Sequence, residues 1–143
     1  MNRMKLQTVA VGLYFDGVNF WACRIIDDHS NVFKLTANGS LLSSFRLSEP
    51  GYAQGICKQA DFFWLSIDDH GTSSIEGGYK VKPNGSVVAS FESPYFFTPM
   101  YDCTFDGKYL WIATRTNRVC CCDVSNAPAV VPASVGRVKA LFR

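Results

Sequence analysis

A repeated twelve-residue segment limits the possible folds of this chain more than any other feature of its sequence. Residues 34–45 read KLTANGSLLSSF, and residues 80–91 read KVKPNGSVVASF. The offset is 46 residues without a gap, and six of the twelve positions are identical. Self-similarity at a fixed period is typical of architectures that stack one small unit several times. We therefore expect several repeats of one unit, packed against each other.

A second marker has nearly the same period. Asp16, Asp61 and Asp106 lie 45 residues apart, and each precedes an aromatic-Trp or Leu-Trp pair. The first and third repeats read Phe-Asp-Gly at this point. In the second repeat the turn is two residues shorter if Asp61 is taken as the equivalent of Asp16 and Asp106. The tryptophans that follow are Trp21, Trp64 and Trp111. Their shared position predicts that all three belong to the core.

Each repeat is predicted to form four short antiparallel strands. Asn38-Gly39 and Asn84-Gly85 predict tight hairpins, because Asn and Gly accept the positive φ angles that such turns require. No stretch has a 3.6-residue apolar period, so we expect an all-β chain with little or no helix. The strands predicted for the second repeat cover about residues 53–58, 62–67, 75–81 and 86–91.

A period near 45 residues with four antiparallel strands is typical of a β-propeller blade. At the residues quoted above, the sequence resembles the NHL, YVTN and streptogramin-lyase-like propellers, which combine an aromatic-Asp-Gly turn, a Leu-Trp-Ile-Ala strand and an Asn-Gly-Ser hairpin. The resemblance covers about residues 9–125 and lacks the Gly-His…Trp-Asp pairing of WD40 blades. We expect one domain, residues 1–143, with blades at about residues 9–49, 50–95 and 96–143.

Three blades are too few for a closed ring, since known propellers have at least four. An open fan would expose apolar faces on both end sheets. We therefore expect a homodimer that forms a six-bladed propeller, with residues 1–8 and 135–143 as candidates for outer strands that close a blade across the chain boundary. One alternative is that the chain is half of a longer single-chain propeller, and another is a sandwich that happens to repeat.

Composition and charge exclude several classes of protein. The formal net charge is +2, only 18% of residues are charged, and there is no run of like charges, which argues against nucleic-acid binding. No apolar run approaches the ~20 residues needed to cross a bilayer. The six cysteines include the adjacent Cys120, Cys121 and Cys122 and form no CxxC pair, so we expect buried, reduced thiols in a cytoplasmic protein.

Candidate site residues come from the loops after the second and fourth strands, where the resemblance places propeller ligands. Carboxylates beside an imidazole can hold a divalent cation or perform acid–base chemistry. The opposing interpretation is that Asp-Asp-His simply forms a polar turn, as Asp often does. The candidates in these loops are Asp27, Asp28 and His29 in the first repeat, Asp68, Asp69 and His70 in the second, and Arg115 in the third.

An aromatic loop follows the second repeat. Tyr95 and Phe97 could line a pocket for an apolar or sugar-like ligand, or they could pack between blades. The sequence as a whole predicts a homo-oligomeric binding or scaffold protein for a small-molecule or peptide ligand, with no cofactor, although a divalent cation is possible. The alternative is a propeller lyase or hydrolase that uses a metal held by the Asp and His loop residues.

Overall fold

The computed structural model describes residues 10–68, 76–92, 100–115, 118–125 and 140–141. The three repeats form three separate four-stranded antiparallel sheets, and the strands of each sheet lie in chain order. This confirms the predicted all-β class and the four strands per repeat, and the described residues contain no helix. The chain's fold is thus propeller-like. Three sheets in one chain do not by themselves give the number of blades in a closed ring.

The strand bounds follow the predicted pattern closely. Sheet one contains β1 (Gly12–Phe15), β2 (Phe20–Ile26), β3 (His29–Leu35) and β4 (Leu41–Arg46). Sheet two contains β5 (Tyr52–Gln59), β6 (Phe62–Asp68), β7 (Gly77–Val81) and β8 (Val87–Glu92). Sheet three contains β9 (Met100–Phe105), β10 (Tyr109–Thr114), β11 (Val119–Asp123) and β12 (Ala140–Leu141).

The outer strand of sheet three comes from the end of the same chain. Cys121 pairs with Leu141 and Cys122 with Ala140, so β12 extends sheet three beside β11. Residues 140–141 thus complete sheet three of their own chain, and the predicted exchange of this segment across a chain boundary stays a prediction. Residues 1–8, the other candidate for such an exchange, lie outside the described part of the chain.

The sheets stack in chain order, with sheet two between the other two. One apolar core lies between sheets one and two, and a second lies between sheets two and three. Strand β5 contacts both β1 and β9, so the first strands of the three sheets lie side by side. Both faces of sheet two are therefore covered, whereas within the described residues sheets one and three each keep one face without a partner sheet.

The three tryptophans all point in the same direction along the stack. Trp21 packs against Phe63 of sheet two, with 4.6 Å between the ring centroids. Trp64 is fully buried in the core between sheets two and three. Trp111 is only half-buried, because in the part of the chain that the structure describes no further sheet faces its side of sheet three. The prediction that all three are core residues is thus wrong for Trp111.

The carboxylate before each tryptophan has a structural task. Asp16 Oδ1 accepts hydrogen bonds from the Val18 and Asn19 amides at 2.9 and 2.7 Å, and its Oδ2 accepts one from Trp21 Nε1 at 2.7 Å. Asp106 repeats the arrangement with Trp111 Nε1, also at 2.7 Å. These bonds fix the turn and the indole together, which explains why the two features recur together in the sequence.

The second repeat uses a different residue for this task. Gln59 Oε1 accepts the Trp64 Nε1 hydrogen bond at 2.8 Å, and Gln59, like Asp16 and Asp106, lies five residues before its tryptophan. Asp61 is therefore not the equivalent of the other two aspartates, and the turn has not lost two residues. Ala60 takes the place of the turn glycine with a φ of 51°.

Acid is expected to destabilise this turn in sheet one. The hydrogen bond from Trp21, with those from the Asn19 and Val18 amides, lowers the pKa of Asp16 from 3.8 to about 2. A carboxyl whose pKa is lowered by folding stabilises the fold above its unfolded pKa, and that contribution disappears as pH falls from about 4 to 2. The effect should be modest, because solvent screens this partly exposed group.

The measurement is urea denaturation at several pH values between 5 and 2, on the wild type and Asp16→Asn. The variant should be less stable at pH 5 and should lose less stability on acidification. Gln59→Glu is the matched comparison, since it gives sheet two the acid-sensitive acceptor that it lacks. A wild type and an Asp16→Asn variant with parallel pH profiles would show that Asp16 does not contribute in this way.

The Asn-Gly hairpins form as predicted. Gly39 and Gly85 have φ angles of 87° and 91°, and each amide donates to the carbonyl three residues earlier at 2.9 Å. The second hairpin also touches sheet one, because the Ser48 amide donates to the Gly85 carbonyl at 2.9 Å. A Cβ on Gly85 would lie 1.9 Å from the Arg46 carbonyl oxygen. This glycine thus permits a close contact between sheets as well as a turn.

All six cysteines are free. Cys120 and Cys122 are buried towards sheet two and Cys121 is on the other side of β11, as strand alternation predicts. Burial raises the pKa of Cys23 and of Cys122 to about 12, so both remain protonated thiols near neutral pH. The cytoplasmic location inferred from the cysteines stays a prediction. The described part of the chain has no helix with the length and apolarity that crossing a bilayer requires.

Candidate functional site

Asp27 and Asp28 form the two-residue turn between β2 and β3. Their φ angles are 50° and 61°, and the flanking residues Ile26 and His29 pair directly across the hairpin. Two successive positive φ angles define a type I′ turn, in which Asp is well tolerated. The residue types at these positions are accounted for by the turn itself.

The groups around this turn are already engaged with one another. Tyr52 donates its hydroxyl hydrogen to Asp28 Oδ1 at 2.7 Å, and this bond raises the pKa of Tyr52. Arg46 Nη2 donates to His29 Nδ1 at 2.8 Å. A guanidinium can only donate, so Nδ1 accepts in this contact; the same nitrogen also lies 3.2 Å from the Asp27 carbonyl oxygen, which can only accept. A positive guanidinium beside His29 also makes this a poor place for a metal cation.

Asp68 lies in a different environment from Asp27. It is the last residue of β6, pairs with Tyr52 of β5 and is only 4% exposed. Asp68 lies four residues after Trp64, whereas Asp27 lies six after Trp21, so the residue of sheet one that corresponds to Asp68 is Ile25. The two Asp-Asp-His triplets are thus not at equivalent positions, contrary to expectation.

The other predicted site residues are dispersed or lie beyond the described chain. Arg115 is exposed just after β10, four residues after Trp111, and so takes the position that Asp68 has in sheet two. Within the described ranges, no three His, Cys, Asp or Glu residues come together as a metal site. The predicted residues outside the description are Asp69, His70, Tyr95 and Phe97.

The open side of sheet one is apolar. We call it the Leu13 face, because strand alternation places Leu13 on the side of β1 that points away from sheet two. Leu13 lies eight residues before Trp21 and is 59% exposed. Ile56 lies eight residues before Trp64, the equivalent position in sheet two, and is only 1% exposed. Phe15 and Phe20 contact each other at 4.8 Å between centroids. By strand register the Leu13 face includes the exposed or half-buried Leu13, Phe15, Phe20, Arg24 and Leu41, together with Ala22 and Leu35, which are buried.

The open side of sheet three is apolar as well. Val119 pairs with Ala113, two residues after Trp111, and is 69% exposed. Val32 pairs with Cys23, two residues after Trp21, and is fully buried. Thr104, Trp111, Ala113 and Val119 surround a shallow depression of about 160 Å³. We call this side the Trp111 face, and it consists of Asp102, Thr104, Trp111, Ala113 and Val119. The exposed apolar faces on both end sheets agree with the prediction for a three-blade fan.

Charged residues interrupt both faces, among them Arg24 and Arg46 on the Leu13 face and Asp102 and Asp123 on the Trp111 face. Asp102 lies on the Trp111 face at the position of Gly12 and Gly55, nine residues before the tryptophan. Arg24 lies on the Leu13 face at the position of Ile67, which is fully buried in sheet two. Arg24 and Asp102 were not predicted as site residues from the sequence. An alignment of the three repeats on their tryptophans would have shown that each replaces an apolar residue or a glycine.

Comparisons with known proteins identify the fold and no family. No protein-family model matches the chain, and no curated protein matches it. Among solved structures, the glutaminyl cyclase of Myxococcus xanthus is similar, with a TM-score of 0.62 and 10% sequence identity. The likeness covers 87% of this chain and 50% of the cyclase chain. This chain therefore has a β-propeller-like fold and spans about half the length of that structure.

Proposed function

We propose that this chain is half of a β-propeller, that two copies close into a six-bladed ring, and that the ring acts as a non-enzymatic binding or scaffold protein. The observation that carries the proposal is the pair of open apolar faces at the two ends of the stack. Contiguous exposed apolar surface on a folded protein marks an interaction site, a ligand groove or an aggregation liability. Known propellers need at least four blades, so three sheets require further sheets beside them.

The solved structure supports a half-ring interpretation in one respect. Three sheets of this chain match half of the cyclase chain, so a second set of three would be needed to match its whole length. The cyclase reaction is not proposed for this chain, since a likeness at 10% identity concerns the fold alone. The resemblance to NHL, YVTN and streptogramin-lyase-like blades likewise supports the architecture and leaves the family open.

A binding function agrees better with the loop residues than an enzyme does. The Asp27-Asp28 turn, the Tyr52 hydroxyl and the Arg46–His29 contact are all satisfied within the protein. Such groups form a fixed polar surface, which suits recognition of a small molecule or peptide more than proton transfer. The metal-dependent lyase or hydrolase also loses support, because the two triplets occupy different positions in their repeats.

The mass in solution tests the assembly. We expect twice the chain mass of 15.9 kDa by light scattering and by native mass spectrometry, because a dimer closes both open faces at once. The measurement should cover protein concentrations from 1 to 100 times a starting value of about 1 µM, the affinity range in which specific assemblies dissociate.

A 15.9-kDa particle across that whole range would contradict the dimer. It would favour the other half-ring interpretation, in which a longer polypeptide supplies the remaining blades. Masses that grow with concentration beyond two chains would contradict closure, since they indicate an open assembly.

A further inference from the structure

We propose that the Leu13 face of one copy seats on the Trp111 face of a second copy, so that the two copies meet head to tail. This inference rests on the proposed homodimer and goes further, because it names the two different surfaces that meet. A head-to-tail contact of this kind is heterologous, in contrast to the self-complementary contact of most two-fold dimers. A two-membered ring then contains the same contact twice.

The first support is that this pairing of faces already occurs twice within the chain. In both internal interfaces, the tryptophan side of one sheet meets the opposite side of the next sheet. Trp21 contacts Phe63, and Lys58 Nζ lies 6.0 Å from the Trp21 ring centroid. Counted from the tryptophans, Phe20 and Phe15 are the equivalents of Phe63 and Lys58 on the Leu13 face.

The second support is the contrast in burial at equivalent positions. Leu13 is 59% exposed where Ile56 and Cys103 are 1% and 7% exposed. On the other face, Val119 is 69% exposed where Val32 is 0% exposed. Burial of these two side chains would remove apolar surface from water and would therefore stabilise the contact. A second copy would offer Leu13 and Val119 the kind of surface that buries their equivalents, Ile56 and Val32, between sheets one and two.

The third support is charge. Arg24 is on the Leu13 face and Asp102 is on the Trp111 face, so the charges that interrupt the two faces have opposite signs. Within the chain, a Cβ on Gly12 would lie 2.8 Å from the Gln54 carbonyl oxygen. Gln54 follows Ala53, which pairs with Ile67 on the neighbouring strand. By equivalence, Asp102 of one copy lies against Val11 and Gly12 of the other, on the strand next to the one that carries Arg24. Opposite charges at an interface favour the correct register over others.

Asp102 also sets a limit on how closely the copies approach. A Cβ on Gly12 would lie 2.8 Å from Gly55 Cα, and a Cβ on Gly55 would lie 2.6 Å from Asp102 Cα. The inner strands inside the chain are thus too close for a side chain at this position. Asp102 has a side chain here, and its Oδ1 turns back towards Gly55 of sheet two and accepts a hydrogen bond from the Cys103 amide at 2.8 Å. Because its Cβ still occupies space that a glycine leaves free, we expect the inner strands at the boundary between copies to lie further apart than β1 and β5 do.

The test uses two variants that each damage one face. Leu13→Glu places a charge on the Leu13 face, and Val119→Glu places one on the Trp111 face; both side chains are exposed, so the sheets should fold. Each variant alone should dissociate at least 100-fold more readily than the wild type, as hot-spot residues do. A 1:1 mixture should form more dimer than either variant alone, because one of its two contacts joins the intact Leu13 face of one variant to the intact Trp111 face of the other, while the second contact carries both glutamates.

The matched control is Val18→Glu, which changes a 71% exposed valine in the β1–β2 turn and should leave the dimer unchanged. Circular dichroism melts verify that every variant is folded. If the wild type is a monomer, the proposed homodimer fails. If the wild type is a dimer but the mixture of variants stays monomeric, the dimer stands and the head-to-tail pairing is wrong. A Leu13→Glu or Val119→Glu variant that remains fully dimeric also overturns the pairing.

Discussion

Replacing Trp64 with alanine is expected to destabilise the chain by about 3–5 kcal/mol, the usual cost of truncating a large aromatic residue in a core. Trp64 is 0% exposed and lies between sheets two and three, where it contacts Phe91 at 5.8 Å between centroids. Its loss would also leave Gln59 Oε1 without the indole donor. Because typical domains unfold with only 5–15 kcal/mol, this loss removes a large part of the free energy of unfolding.

Trp111→Ala is the matched comparison, since Trp111 has the same place in its repeat but is only half-buried. Urea denaturation of both variants in a Val119→Glu background, which we expect to be monomeric, compares the two positions without any contribution from a partner. We expect a loss for Trp111→Ala of about 1–2 kcal/mol, less than half that for Trp64→Ala. Equal losses would show that Trp111 is covered within the single chain, which contradicts an open face there.

Replacing Gly85 with alanine is expected to cost about 3 kcal/mol or more. The φ of 91° alone costs a residue with a Cβ about 1–2 kcal/mol. The new Cβ would in addition lie 1.9 Å from the Arg46 carbonyl oxygen, so the hairpin of sheet two and the end of β4 must separate. Separation would also strain the hydrogen bond from the Ser48 amide to the Gly85 carbonyl.

Gly17→Ala isolates the conformational part of that cost. Gly17 has a φ of 95°, but no atom lies within 4 Å of its added Cβ. Thermal denaturation of the two variants should therefore give a clearly larger drop in Tm for Gly85→Ala. A drop of the same size in both would indicate that the contact between the hairpin and Arg46 relaxes without cost.

The fold could be predicted because each repeat carries local signals that agree with one another. The Asn-Gly turns require positive φ, and the alternation along each strand shows which side is buried. The order of the strands within each sheet then follows from short connections between neighbours. The strand β12 had no such signal, since only tertiary pairing with β11 assigns residues 140–141 to sheet three.

The candidate site was harder to predict, because identical triplets can occupy different positions in a repeat. Asp27 is in a turn and Asp68 is at the buried end of a strand, although both begin an Asp-Asp-His sequence. The same difficulty applies to Asp61, which matched Asp16 in spacing between repeats but not in distance from its tryptophan. Alignment on a buried anchor such as Trp64 gives the correct correspondence, because packing fixes the anchor while loops change length.

The uniform orientation of the indoles gives the molecule a direction. A body with two unlike ends that fit each other can join into a ring or grow without limit, and only the angle turned at each junction decides between these outcomes. Asp102 adjoins that junction, so a change at this one position could convert a discrete assembly into a filament. Small alterations at the boundary between copies would then appear as changes in solubility while each chain remained correctly folded.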